Sequence, residues 1–241
     1  MDMGTLHLFP VPISDSFHKN TIPPGLIEAA QNIQDWIVET PKAARKKLKI
    51  IAPTTAISEQ RLFPLDKFNI KNNFSILSEP CLKGKDMGLI SDAGSPAIAD
   101  PGAMIIAEAH RLGIKVKPWV GPSSILLGLM ASGLNGQSFS FLGYLPHDKS
   151  ERKILLIKME RNIRDGITQI FIETPYRNVK IIEELSKSLS GDIFMCAACN
   201  LNSDKEIIIS KSISEWKQEK RIISFHKEPT IFILGRSSKL I

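Results

Sequence analysis

Short apolar runs alternate with amphipathic helical patterns along most of the chain, and the clearest unit lies between Met87 and Val120. Met87–Ser91 is an apolar run without helical period, the pattern of a buried strand in a parallel sheet. Asp92–Pro96 then carries a glycine, a proline and small polar residues, which predicts a sharp turn. Asp100 followed by Pro101 reads as an N-cap and a first helical position. Met104, Ile105 and Ala109 give the following helix one core face, and Gly113 stands where a left-handed helix end is wanted. Ile114–Val120 supplies the next strand, so the unit is a βαβ crossover. Its Asp92–Pro96 loop falls at the carboxyl edge of a sheet, where open α/β folds bind ligands. An ordinary strand-to-helix turn fits the same residues.

The same alternation continues on both sides. Thr5–Phe9 is a strand that runs into the extended loop Pro10–Asp15, and a helix begins near Pro23-Pro24 with Ile27, Ala30 and Ile33 on one side. Asp35–Glu39 is the next strand, with Glu39 at its end, and Pro41–Ile50 is a helix crowded with Lys42, Arg45, Lys46, Lys47 and Lys49. That basic cluster is either a solvated face or a phosphate-facing one. Ile51–Asn73 is the least regular stretch, with a strand at Leu62–Leu65. Glycine and proline in Trp119-Val120-Gly121-Pro122 interrupt both periods and predict a boundary between domains 1–120 and 121–241.

Ser123 or Ser124 can cap the helix that opens the second domain, where the small residues Gly128, Ala131 and Ser132 predict close packing. Phe139–Leu142 is a strand leading to the loop Gly143-Tyr144-Leu145-Pro146, and Ser150–Arg161 is a charged amphipathic helix. Thr168–Glu173 is a strand ending in a carboxylate, with Thr174-Pro175-Tyr176-Arg177 opening the next helix. Strands near Asp192–Ala198, Glu206–Ser210 and Pro229–Leu234 finish the chain, with Trp216 on a short helix. The expected fold is α/β: two α/β domains, each with a roughly five-stranded sheet flanked by helices.

Composition narrows the class only a little. The 241 residues, 43% hydrophobic and 23% charged, describe a globular protein and not a disordered one. No apolar run reaches the length of a membrane span, since Ile125–Leu134 is broken by Gly128, Ser132 and Gly133. The amino terminus carries no basic leader ahead of a hydrophobic segment, so a cytoplasmic location is expected. A net charge of +6 is compatible with an acidic partner such as RNA. Cys81, Cys196 and Cys199 cannot form a disulfide framework. Cys196-Ala-Ala-Cys199 matches a redox spacing but sits inside a strand pattern without a second ligand pair, so buried thiols are expected and no metal.

Six loop segments occur together and in order: Val11–Asp15, Ile90–Pro96, Asp100–Gly102, Val120–Ser124, Gly143–Pro146 and Glu173–Arg177. On these the chain resembles the tetrapyrrole methylase superfamily, and within it the branch of the small-subunit ribosomal RNA cytidine 2′-O-methyltransferases. The resemblance covers nearly the whole length. It implies a methyltransferase and a homodimer, with S-adenosylmethionine as donor in a cleft between two α/β domains. The donor-holding residues it implies are Pro12, then Ser91, Asp92, Ala93, Gly94, Ser95, Pro96 and Ile98. Gly121, Pro122, Ser123 and Ser124 join them, with Glu173, Thr174 and Pro175 from the later loop. No G-x-G-x-x-G fingerprint is present, so the donor is not expected to be held in the Rossmann manner.

Methyl transfer from a sulfonium is an in-line displacement that needs alignment and no metal. A hydroxyl acceptor must also lose its proton, and Glu39, Asp15, Glu173 and Asp92 are the carboxylates expected near the cleft, with Glu39 and Asp15 on the acceptor side. Lys42, Arg45, Tyr144 and Arg177 are the expected substrate contacts. Three family patterns are altered. T-P-I-G-N of the ribosomal enzymes reads Val11-Pro12-Ile13-Ser14-Asp15, A-E-D-T-R reads Val38-Glu39-Thr40-Pro41-Lys42, and R-E-L-T reads Cys199-Asn200-Leu201-Asn202. Methylation of a ribosomal RNA ribose is the preferred expectation. A methyltransferase for a tetrapyrrole-like small molecule, or a donor-binding module without catalysis, are the alternatives.

Overall fold

The computed structural model of the protein describes residues 2–66 and 70–237. Two compact units are present, Met1–Ser123 and Ser124–Ile241. The first contains β1 (Thr5–Leu8), α1 (Pro24–Gln31), β2 (Asp35–Val38), α2 (Pro41–Ile51) and β3 (Arg61–Pro64). α3 (Ile70–Ser78), β4 (Met87–Ile90), α4 (Gly102–Arg111) and β5 (Lys115–Pro118) complete it. Its five strands run parallel in the order β3-β2-β4-β1-β5. β2 and β4 are buried throughout, as strands covered on both faces must be: β4 is wholly apolar, and the one charged residue of β2, Asp35, is paired with Arg61.

Two details of that sheet have a clear cause. Trp36 on β2 stands in register with Gly88 on β4, and a Cβ on Gly88 would lie 2.3 Å from the Trp36 ring. The glycine makes room for a fully buried indole at the centre of the sheet. Nearer the edge, His7 of β1 forms a three-ring cluster with Phe9 and Trp119, whose centroids lie 5.8 and 6.1 Å from it and 5.9 Å from each other. Trp119 Nε1 donates to His7 Nδ1 at 3.0 Å, and Nε2 lies 3.4 Å from Asp86 Oδ2. The ring is therefore held neutral with its proton on Nε2. Burial pushes its pKa below the ordinary 6.5, against the pull of Asp86.

Most sequence boundaries hold to within a residue or two. Helix α4 starts after Pro101 instead of at it, and Asp100 turns back: its carboxylate accepts from Gly102 N at 2.7 Å and from Ala97 N at 2.9 Å. Helix α3 begins inside the stretch Ile51–Asn73 expected to be irregular and runs on to Ser78. Its Lys71, Asn72 and Asn73 give little helical signal, asparagine being a weak helix former. Residues 67–69 of that stretch lie outside the described residues.

The second unit opens with α5 (Ser124–Ser132), β6 (Phe139–Tyr144), α6 (Lys149–Arg164) and β7 (Thr168–Ile172). It continues through α7 (Asn178–Ser188), β8 (Phe194–Cys199), β9 (Ile207–Ser212), α8 (Ile213–Trp216) and β10 (Thr230–Gly235). The strand order is β6-β7-β10-β8-β9, with β6 parallel to β7 and the other pairs antiparallel. Phe171, Met195, Phe232 and Leu234 face one core with Leu156, Met159, Ile182, Leu185 and Trp216 of α6, α7 and α8. Ile231 and Ile233 point the other way, and there α5 packs so closely that a Cβ on Gly128 would sit 2.8 Å from Ile231. Cys196 and Cys199 are three residues apart on one strand, so they project to opposite faces. Burial pushes their thiols up to about 12 and about 11, which fits inert buried cysteines and excludes a shared redox pair.

Gly88→Ala should destabilise the first unit by about 1–3 kcal/mol, read from its denaturation midpoint. His7 gives a pH effect. The unfolded ring binds a proton more readily than the folded one, so unfolding takes up a proton just below pH 6.5 and stability falls as pH drops through that window. In urea titrations between pH 7 and pH 5, His7→Phe should flatten that slope.

Candidate functional site

The first sheet changes direction at β1 and β4. The crossover from β1 leads to β2 on one side, and that from β4 leads to β5 on the other, so a crevice opens between their carboxyl ends. Two loops meet there. Val11 N donates to Gly94 O at 2.9 Å and Gly94 N to Val11 O at 3.1 Å, an antiparallel bridge beyond the end of a parallel sheet. Ser91 Oγ donates to Ala93 O at 2.9 Å and tightens the turn. Ser95 Oγ reaches Pro122 O at 3.3 Å, which ties the loop after β4 to the segment after β5. That segment is close against the β1 exit, where a Cβ on Gly121 would lie 2.6 Å from Pro10.

Asp92 fastens a further loop. Its Oδ1 accepts from Thr40 N at 3.1 Å and its Oδ2 from Thr40 Oγ1 at 2.8 Å. The carboxylate therefore holds both the backbone and the side chain of Thr40 after β2, with half-buried Glu39 the neighbouring residue. Ser91, Asp92, Ala93, Gly94, Ser95, Gly121 and Pro122 thus lie on one sheet edge together with Pro12. Ser123 is half-buried at the end of the unit.

Lys47 was grouped by sequence with the other cations of its helix, and the structure separates it from them. It is 5% exposed, its Nζ donates to Pro12 O at 3.0 Å, and it lies 3.6 Å from Asp15 Oδ1. Burial lowers its pKa, partly offset by Asp15. The signal was available, because Ala44, Lys47, Leu48 and Ile51 share the buried face of α2. Asp15 itself is exposed and also meets Lys46 at 3.9 Å. Beside it, Ser14 is buried with a hydroxyl that has no hydrogen-bond partner. Ser14 stands where the ribosomal pattern has glycine.

Sequence reasoning also missed the backbone beyond Pro96. Ala97 and Ala99 are left-handed, with φ of 68° and 63°, and between them Ile98 is 49% exposed. Alanine is uncommon in that region, and nothing in an alanine announces it from sequence.

In the second unit, Glu173 follows directly on β7, and its side chain is fully buried. Its Oε2 accepts from Thr174 N at 3.1 Å and faces Arg177 Nη1 at 3.4 Å, whereas Oε1 has no partner. Burial raises its pKa above the ordinary carboxylate value, against Arg177. Arg177 Nη1 also lies 2.9 Å from His147 Nδ1, a contact across 30 residues that leaves no local signal in the sequence. Tyr144 and Tyr176 are exposed, and Lys227 Nζ stands 5.7 Å from the Tyr176 ring centre. Pro175 O accepts from Lys227 N at 3.1 Å. Ser124 is the first residue of α5. Among the described residues no three His, Cys, Asp or Glu side chains form a metal-binding group, and no helix is long and apolar enough to cross a membrane.

Asp92→Ala should lower the unfolding free energy by about 1–2 kcal/mol, since it removes a charged acceptor from Thr40 N and Oγ1. In a double-mutant cycle with Thr40→Val, measured by urea denaturation, the two losses should be less than additive.

No protein-family model matches the chain. It is 33% identical over 155 residues to the ribosomal RNA small subunit methyltransferase I of Vibrio cholerae, covering 64% of this chain and 53% of that protein. To the Bacillus subtilis protein of the same name it is 30% identical over 224 residues, covering 92% of this chain and 73% of that one. The chain thus spans little more than half the length of the first relative. Among solved structures, the methyltransferase CobJ matches with a TM-score of 0.64 at 13% identity, over 99% of this chain and 97% of that one. Diphthine synthase matches with a TM-score of 0.67 at 17% identity, over 98% and 92%. These likenesses show the fold, two five-stranded α/β units of the tetrapyrrole methylase kind. On the length and identity of the Bacillus subtilis match, the chain belongs to the ribosomal RNA small subunit methyltransferase I family.

Proposed function

We propose that the chain transfers a methyl group from S-adenosylmethionine to the 2′-hydroxyl of a ribose in small-subunit ribosomal RNA, acting in the cytoplasm as a homodimer. The observation that carries the reading is the Val11–Gly94 bridge at the point where the crossovers diverge, in a chain of this family. The relatives are named for ribosomal RNA methylation.

The residues at that edge fit a nucleoside. Gly94 is left-handed at φ 69° and has nothing within 4 Å of where a Cβ would stand, so a ligand can approach its backbone. Ile98 offers an apolar surface at the end of the same loop, and the Ser14 hydroxyl is an uncommitted buried polar group in the loop that Val11 opens. When bound, the donor supplies an electrophilic methyl on a positively charged sulfur. Ser91, Ala93, Gly94, Ser95, Pro96, Gly121 and Pro122 have the role of fixing its place by backbone contacts and shape. Asp92 acts by positioning, because it holds the β2 exit through Thr40.

Loss of the acceptor's proton falls to a carboxylate of the same unit. Glu39 follows Val38 directly at the end of β2, and Asp15 stands in the loop after β1 beside Lys47. Glu39 is the better placed of the two for a partly dehydrated site, being half-buried where Asp15 is exposed. Glu173, Thr174 and Pro175 carry the donor-binding role in the second unit, with Tyr144 and Arg177 toward the substrate.

The test is transfer of tritiated methyl from S-adenosylmethionine to unmodified small-subunit RNA, followed by nuclease digestion. Label in a 2′-O-methyl nucleoside is expected, with Glu39→Gln lowering kcat by about 10²-fold or more. Donor binding by calorimetry without label in RNA would overturn the assignment.

A further inference from the structure

We propose that the outer face of α2 is the seat of the RNA phosphate backbone, with Lys42, Arg45, Lys46 and Lys49 as its contacts. This rests on the RNA-methylating reading and names the surface that would bring the substrate to the site. Four of the five cations in the helix are exposed, and they fall at intervals of three and four residues, which places them on one side of the cylinder. From Lys42 to Lys49 the row is about 10 Å long. A row of that length faces several successive phosphates of a strand.

Three features favour a nucleic-acid backbone over a plain solvated surface. The helix begins at the ligand edge: Pro41 follows Thr40, which Asp92 holds against the loop after β4. The row therefore starts beside the crevice and leads away from it. Second, the first turn of α2 contains no acidic residue, and Lys42 stands there. A cation at a helix amino terminus opposes the helix dipole by about 0.3–1 kcal/mol, and no carboxylate paired with Lys42 offsets that within the turn. A local preference is thus broken at the position nearest the site, the pattern expected of a functional residue. Third, the helix divides its lysines by task. Lys47 is turned inward to Pro12 O, whereas its neighbours Arg45, Lys46 and Lys49 remain exposed.

The occupant is RNA in preference to an anionic membrane surface. A membrane-surface helix needs a free apolar face beside its basic one. The apolar residues of α2, Ala44, Leu48 and Ile51, are already buried in the core of the unit. Among the described residues, the Asp15 carboxylate approaches the row, at 3.9 Å from Lys46. Lys46 is accordingly left unchanged in the test.

Binding of the full chain to unmodified small-subunit RNA should be measured between 50 and 300 mM salt for the wild type and for Lys42→Ala/Arg45→Ala/Lys49→Ala. A second variant, Lys153→Ala/Lys158→Ala/Lys187→Ala, removes the same charge from the exposed surface of α6 and α7. The slope of log binding constant against log salt should fall in magnitude by about 2 for the α2 variant, at 0.7 per lost phosphate contact, with affinity lowered for every RNA sequence tried. The α6/α7 variant should keep the wild-type slope, and both should melt with the wild type. Equal loss in the two variants would overturn the proposal, leaving net charge as the cause. So would an unchanged slope in the α2 variant. Dependence on these residues for phosphatidylglycerol vesicles but not for RNA would assign the face to a membrane and overturn it as well. A wild type that methylates RNA while the α2 variant binds normally removes this inference alone. A wild type that neither binds nor methylates RNA removes the functional reading with it.

Discussion

An antiparallel bridge between two residues holds the ligand edge of the first unit together. Parallel strands cannot close their own carboxyl ends, because each chain leaves the sheet there to begin a crossover. In this protein the crossover from β1 passes β4 to reach β2, and that from β4 passes β1 to reach β5, so the two loops leave the sheet past one another. The reciprocal hydrogen bonds of Val11 and Gly94 draw those loops together one layer above the sheet. Other ties at the edge accompany that one. Ser91 can brace Ala93 O only if the loop after β4 has turned, and Asp92 reaches Thr40 only if the turn presents its carboxylate toward β2. Glycine at 94 is needed for the positive φ, and the open space at its Cβ position is the consequence of a turn whose convex side is backbone.

Much of this was legible in the residues. The strand, turn, helix and strand of Met87–Val120 follow from period and punctuation alone, and Gly113 is left-handed at φ 73° as a helix end demands. Packing of α5 through Gly128 was legible from its small residues. What the sequence did not show was direction. Asp92 carries the carboxylate expected near a ligand, yet the structure turns both its oxygens onto Thr40, because a backbone N–H and a hydroxyl at the exit of β2 lie within reach. Asp100 was expected to cap a helix starting at Pro101, whereas it caps from one residue further out and holds Ala97 as well. A side chain's partner across 52 residues of sequence, as for Asp92 and Thr40, leaves no local trace.

The basic segment shows the same limit from the other side. Composition counts five cations in one helix, but amphipathic geometry assigns them two tasks. A buried ammonium is costly unless it is hydrogen-bonded or paired, and Lys47 donates to Pro12 O and has the Asp15 carboxylate 3.6 Å away. The β1 exit is thereby fastened to α2 from below while its own bridge fastens it to the loop after β4. Glu173 is the counterpart in the second unit. Its carboxylate is buried with one oxygen answered by Thr174 N and faced by Arg177, and the other oxygen unanswered. A buried carboxylate with one oxygen unmatched favours its protonated form, in keeping with the raised pKa of Glu173.

The loop after Pro96 extends the argument to strain. Two alanines in left-handed conformation each cost about 1 kcal/mol or more relative to glycine, and such residues persist only where surrounding contacts hold them. Here the Asp100 carboxylate does so, accepting from Ala97 N and from Gly102 N. Gly102 is small for the same reason: a Cβ there would meet Asp100 Oδ1 at 2.8 Å. What this arrangement achieves is the outward presentation of Ile98, a branched apolar residue that a relaxed loop would fold inward. An apolar side chain kept in water by a strained backbone gains nothing for stability, so the exposure of Ile98 is set by the turn that Asp100 holds and not by burial of its own surface.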